Sequence, residues 1–109
     1  MDIDIEKALD FIRDHASEYA QAKAHRIHIE EFRKSKKAIL MQEGAKTGLQ
    51  SVAAQEVYAY AHQEYLSLLD GLKSAVEREE YLRWLIEAAR LKIEVWRSLE
   101  SSRRSERII

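Results

Sequence analysis

The sequence predicts an all-α fold: an elongated antiparallel hairpin of two long helices, with a short third helix at the corner and an oligomer built on the hairpin. Three observations predict it. Apolar residues recur at alternating steps of three and four along two long stretches, which puts them on one side of a helix. The chain contains no proline, so no residue interrupts either stretch by losing its N–H. The strongest breakers, Gly44 and Gly48, fall between the two stretches.

The first helix is expected from about residue 4 to about 43. Asp2 or Asp4 caps it, and acids in its first turn suit the positive end of the helix dipole. Ile5, Leu9, Ile12, Ala16 and Tyr19 form its apolar stripe, and Ile27, Ile29, Phe32, Ile39, Leu40 and Met41 carry its second half. Gly44 reads as the C′ residue that ends it, because glycine accepts positive φ at little cost. The short helix spans 51–61, with Ser51 as its cap and Val52, Val57, Tyr58 and Tyr60 as its bulk. His62, Gln63 and Glu64 form the corner.

The long helix over 63–104 organises the rest. Tyr65, Leu69, Leu72, Val76, Leu82, Ile86, Ala89, Ile93 and Trp96 form one stripe. Two successive steps of three, Val76 to Glu79 to Leu82, place an acid in the seam and predict local overwinding. A second stripe runs through Tyr81, Leu85, Ala88, Leu91, Val95 and Leu99, so the helix is expected to be covered on both sides. Residues 105–109 are expected to fray, because the Ser- and Arg-rich tail has no apolar face. In the antiparallel register, facing residue numbers sum to about 105, which sets Arg26 near Glu79 and Lys34 or Lys37 near Asp70.

Composition bounds the function. With 109 residues the chain is one domain. It has no cysteine, which excludes disulfides and thiolate metal sites and fits a reducing compartment. No apolar run is long enough to span a membrane, and the acidic N-terminus does not read as a signal peptide. The net charge of −1 argues against nucleic-acid binding driven by overall charge. The charge is nevertheless segregated into acidic residues 1–31, a basic run at 33–37, an acidic patch at 77–80 and a basic tail.

No catalytic or metal signature is present, so neither an enzyme, a cofactor, a metal nor a small-molecule substrate is expected. His25 and His28 share a helical face, but Arg26 between them adds repelling charge and the zinc-protease spacing is absent. Glu30–Glu31 and Glu79–Glu80 are adjacent, so their carboxylates diverge by about 100° on a helix. Gly44 to Gly48 encloses a Lys-Thr pair without the phosphate-loop glycine pattern.

Two surfaces carry functional expectations. Arg33, Lys34, Lys36 and Lys37 can neutralise phosphates, and Tyr58 and Tyr60 can stack on bases. The alternative is that these lysines answer the chain's own acids and the tyrosines are core. The second surface is Trp84 with Arg83, and with Leu91 and Val95 along the second stripe, as an interface between subunits or with a partner.

The segments from His25 to Ala38, Ala53 to His62, and Leu82-Arg83-Trp84 through Ile93 to Ser98 resemble small helical bacteriophage and prophage proteins that accompany phage recombination or replication genes. The likeness covers about residues 20 to 100. That group has proline where this chain has Gln63, a residue that would start the long helix at its first position. The arrangement is also similar to phage recombination mediators, small helical oligomers that bind single strands and load a recombinase. The resemblance implies a non-enzymatic accessory protein of DNA recombination or replication in the host-cell cytoplasm. It would be a homo-oligomer that contacts single-stranded DNA or a recombination protein. An adaptor or inhibitor that binds a host or phage protein, and no nucleic acid, is the alternative.

Overall fold

The computed structural model describes residues 2–108, and within them every regular element is helical. The order is α1 (Ile5–Lys46), α2 (Val52–Ala61) and α3 (Gln63–Ile108). The long helices have 42 and 46 residues and the short one has 10.

Each boundary has a local cause. The Asp4 carboxylate accepts the Lys7 N–H at 3.1 Å and so caps α1. The Ser51 hydroxyl accepts the Ala54 N–H at 3.1 Å and starts α2. His62 is extended (φ −69°, ψ 136°), which separates α2 from α3, and its Nδ1 accepts the Glu64 N–H at 3.0 Å. α3 then begins at Gln63.

The end of α1 differs from expectation. Gly44 does not terminate the helix, which continues to Lys46. The residue in the left-handed region is Gly48, at φ +104°. Gly44 serves packing instead: a Cβ there would lie 3.0 Å from Tyr58 Cδ1. The Leu49 N–H and Thr47 hydroxyl donate to its carbonyl at 3.1 and 2.7 Å, satisfying the helix end. At the other end of the chain, α3 stays helical through residues 105–108, where fraying was expected, and Arg103 pairs with Glu100 one turn back at 2.9 Å. Ile109 lies outside the described residues.

The inward line of α3 is also corrected. Ala75 is buried and Val76 is exposed; Tyr65 and Leu69 pack in the core as expected, and from Leu72 onward the inward line follows Ala75, Glu79, Leu82, Ile86, Ala89, Ile93, Trp96 and Glu100. From Leu72 onward these steps alternate between three and four, so the break expected at Glu79 is absent. The mistake was to favour the larger valine. A tight helix seam accepts the smaller alanine.

The chain folds as two compact units. The first comprises α1 as far as Gln21 and α3 from Glu79 onward. Among its described residues Ala8, Leu82 and Ala89 are the buried apolar ones, and Glu79 is buried with them. Residues around Ala8 and Phe11 share a groove with Leu85, Ala88, Ala89 and Lys92, whereas Tyr19 acts electrostatically on Arg83. The two segments therefore run antiparallel in this unit. Leu9 and Ala16, expected on the inner stripe, face outward, because the packed line is rotated toward Ala8, Phe11 and His15. His15 stacks on Phe11 with ring centroids 4.0 Å apart.

The second unit is Ala22–Arg78, which holds the rest of α1, all of α2 and the start of α3. Its centre is Leu40, fully buried with Ala59 and Tyr65 and flanked by Met41 and Leu69, so each of the three helices contributes. Burying a leucine of this kind stabilises a fold by about 1.5–3 kcal/mol.

Candidate docking face and basic groove

In the first unit, α3 carries a second apolar line that nothing among the described residues covers. Tyr81, Trp84, Leu91, Val95 and Leu99 are all exposed, Tyr81 to 64% and Trp84 to 59%. Single exposed apolar residues are ordinary, but a contiguous line of them marks an interaction surface. Arg83 lies over the Trp84 ring, its guanidinium carbon 4.6 Å from the ring centroid. A cation over an indole face is attracted by the ring's quadrupole, weakly at an exposed site of this kind.

A sequence signal for this face was available and was missed. From Glu80 onward α3 repeats every seven residues: Glu80-Tyr-Leu-Arg-Trp-Leu-Ile, Glu87-Ala-Ala-Arg-Leu-Lys-Ile, Glu94-Val-Trp-Arg-Ser-Leu-Glu. Each repeat begins with a glutamate that pairs with the arginine three residues on: Glu80–Arg83 at 2.6 Å, Glu87–Arg90 at 2.5 Å and Glu94–Arg97 at 3.4 Å. The third and seventh residues of each repeat form the inward seam, and the second and fifth form the outer line. On a helical wheel the charged ladder occupies one edge between those two faces. Hydrogen bonding to Arg90 holds the Glu87 carboxyl below its ordinary pKa, and hydrogen bonding to Glu80 raises that of Arg83.

The basic run lies in the second unit. Lys34 pairs with Glu31 at 3.3 Å, Lys36 with Glu64 at 2.9 Å and Lys37 with Glu56 at 3.5 Å. The lysines thus answer the chain's own acids, though not the Asp70 that was expected. A groove of about 370 Å³ is lined by Arg33, Lys34, Lys37, Tyr60 and Tyr65. Lys37 Nζ is 4.8 Å from the Tyr60 ring centroid, and Tyr60 meets Tyr65 edge-on at 5.3 Å. The Tyr60 side chain, then Glu56, raises the Lys37 pKa against the opposing effect of burial.

Of the six residues expected to contact nucleic acid, the groove brings together Arg33, Lys34, Lys37 and Tyr60. Lys36 turns to Glu64, and Tyr58 belongs to the packing at the end of α1. The Tyr58 ring abuts Gly44 and meets His62 edge-on at 5.7 Å. Burial first, then the Glu43 carboxylate, raises the Tyr58 pKa. Arg33 is half-buried, and among the described residues no carboxylate lies within ion-pair distance of it.

Neither surface has the make-up of a metal centre. Among the described residues no cluster of three His, Cys, Asp or Glu side chains could hold an ion. No described helix is long and apolar enough to cross a membrane. Compared with the models of known protein families, with curated proteins and with solved structures, the chain has no match.

Proposed function

We propose that this protein is a non-enzymatic accessory protein that works by protein–protein contact through the outer face of α3. One observation carries the reading: Tyr81, Trp84, Leu91 and Val95 stand exposed on a single helical line, with Arg83 over the indole. Trp, Tyr and Arg are the residues that most often anchor protein interfaces. Folding gains little from Trp84 at 59% exposure, so its apolar surface is left for association. The test compares the chain with a Trp84→Ala variant, purified in parallel and weighed by light scattering. An assembly present with the natural chain and absent with a variant of unchanged helix content supports the reading. Equal masses in both, with no other protein retained by the natural chain and lost with the variant, would overturn it.

A second reading rests on Arg33. A half-buried guanidinium without a carboxylate partner, beside Lys34, Lys37 and the exposed Tyr60, is a fitting seat for a phosphate with a base stacked next to it. It would make the chain a single-strand-binding accessory of DNA recombination or replication, the setting that the phage and prophage resemblance implies. It ranks second because Glu31, Glu56 and Glu64 already hold the lysines, and a phosphate must displace them. Titration of a labelled single-stranded oligonucleotide at two salt concentrations decides it. Salt-sensitive binding that Arg33→Ala weakens supports this reading, and no binding at low salt removes it.

A further inference from the structure

We infer that the outer face of α3 is covered by α3 of a second copy of this chain, parallel and in register. The inference rests on the docking reading above and names its occupant. The outer line has the pattern of a two-stranded coiled coil. Tyr81, Ala88 and Val95 occupy one core position of the seven-residue repeat, and Trp84, Leu91 and Ser98 occupy the other. A β-branched residue at the first position (Val95) with leucine at the second (Leu91) is the combination that favours two parallel strands.

Charge fixes the direction. Glu80, Glu87 and Glu94 flank one edge of the line, and Leu85, Lys92 and Leu99 flank the other. In a parallel in-register pair the first edge of one helix meets the second edge of its neighbour, five residues on. Glu87 then faces Lys92 of the second copy, twice by symmetry, while Glu80 and Glu94 face leucines. In an antiparallel pair each edge meets itself. The glutamates of both copies would line up together on one side, which costs energy there, and Lys92 would lose its glutamate partner. The arginines at positions 83, 90 and 97 do not relieve this, because they sit on the side of the glutamates away from the apolar line. The repeat persists for three heptads on a helix already held by its inward seam, so pairing does not bear the cost of nucleating the helix.

The test exploits the absence of cysteine. Ser98→Cys introduces a single thiol at an exposed core position of the proposed pair. Parallel in-register pairing brings the two thiols within disulfide reach, for which Cα atoms must lie about 4.4–6.8 Å apart. We expect the natural chain to weigh twice its 12.7 kDa. Ser98→Cys should oxidise mainly to a linked dimer. Leu91→Glu should weaken association about tenfold or more, with unchanged helix content. A dimer whose Ser98→Cys form does not link, while a mixture of Tyr81→Cys and Ser98→Cys chains does, would show antiparallel pairing and overturn the inference. A dimer indifferent to Leu91→Glu would place the contact on another face and overturn it as well. A chain that is monomeric alone, but retains a different protein that Leu91→Glu releases, refutes the second copy and keeps the docking face. Monomers that retain nothing refute both.

Discussion

The three glycines predict three different responses to alanine, and their order tests the helix assignments directly. Gly71 lies inside α3, and a Cβ there would meet nothing within 4 Å. Replacing it with alanine removes only the helix penalty of glycine, a gain of about 1 kcal/mol. Gly44 also lies inside α1, so alanine gains the same term there. Its Cβ, however, would sit 3.0 Å from Tyr58 Cδ1, 3.2 Å from Tyr58 Cγ and 3.3 Å from Leu49 Cδ1. The Tyr58 ring is held against His62 and cannot retreat freely. Overpacking of this kind costs about 1–3 kcal/mol, so Gly44→Ala comes out between neutral and about 2 kcal/mol destabilising. Gly48 has open space around it but sits at φ +104°, where a Cβ costs about 1–2 kcal/mol. For a chain of this size each kcal/mol moves Tm by about 4 °C. Thermal unfolding followed by circular dichroism, at one fixed protein concentration, should therefore rank Gly71→Ala above the natural chain, and the natural chain above Gly48→Ala. Gly44→Ala should fall at or below the natural chain. A Gly44→Ala variant stabilised as much as Gly71→Ala would refute the close approach of Tyr58 to α1.

Two further outcomes follow from the second unit. Leu40→Ala should lower stability by about 2–5 kcal/mol, whereas the adjacent Ile39→Ala, at an exposed position, should stay near 0.5 kcal/mol, as read from urea midpoints. The Lys36 ammonium, through its hydrogen bond first and its charge second, lowers the Glu64 pKa from its ordinary 4.5. A depressed carboxyl stabilises the fold above its unfolded pKa and loses that contribution as pH falls through the folded value. The natural chain should thus lose its advantage over Glu64→Gln as pH drops below about 4.5. Urea midpoints of the two that stay equally far apart down to pH 2 would contradict the pairing.

The helices were legible in the sequence because each rests on a local cause. The Ser51 hydroxyl, the proline-free runs and the extended His62 act within a few residues of themselves, and these boundaries were read closely. The end of α1 was not, because Gly44 has two competing uses. Its freedom at positive φ suggested a helix stop, but its missing side chain makes room for Tyr58, which lies fourteen residues on and comes close only in the folded unit. The inward seam was misread at Ala75 for a related reason, since size alone does not say which of two adjacent apolar residues a tight seam accepts. Among the site residues, Leu91 and Val95 were placed on a second face by periodicity and Trp84 by its offset from the inward stripe, and all three are exposed. The basic run could be read as a cluster of charge. The Lys34–Glu31 pair is one helical turn apart and follows from spacing, but the pairing of Lys36 with Glu64 and of Lys37 with Glu56 depends on how α2 and the start of α3 fold back beside the run, which spacing along the chain does not encode.

The most direct test of the docking face is the solvent accessibility of Trp84 in the working state of the protein. A Trp96→Phe background leaves Trp84 as the one indole, and acrylamide quenching of its emission is measured across protein concentration, with Leu91→Glu in the same background alongside. The account predicts strong quenching at high dilution that falls as the chain concentrates, and strong quenching at every concentration for the Leu91→Glu form. Equal and strong quenching of both chains throughout would mean that the outer face of α3 stays open to water, would contradict its pairing with a second copy, and, with no other protein retained by the natural chain, would contradict a protein that works through this face.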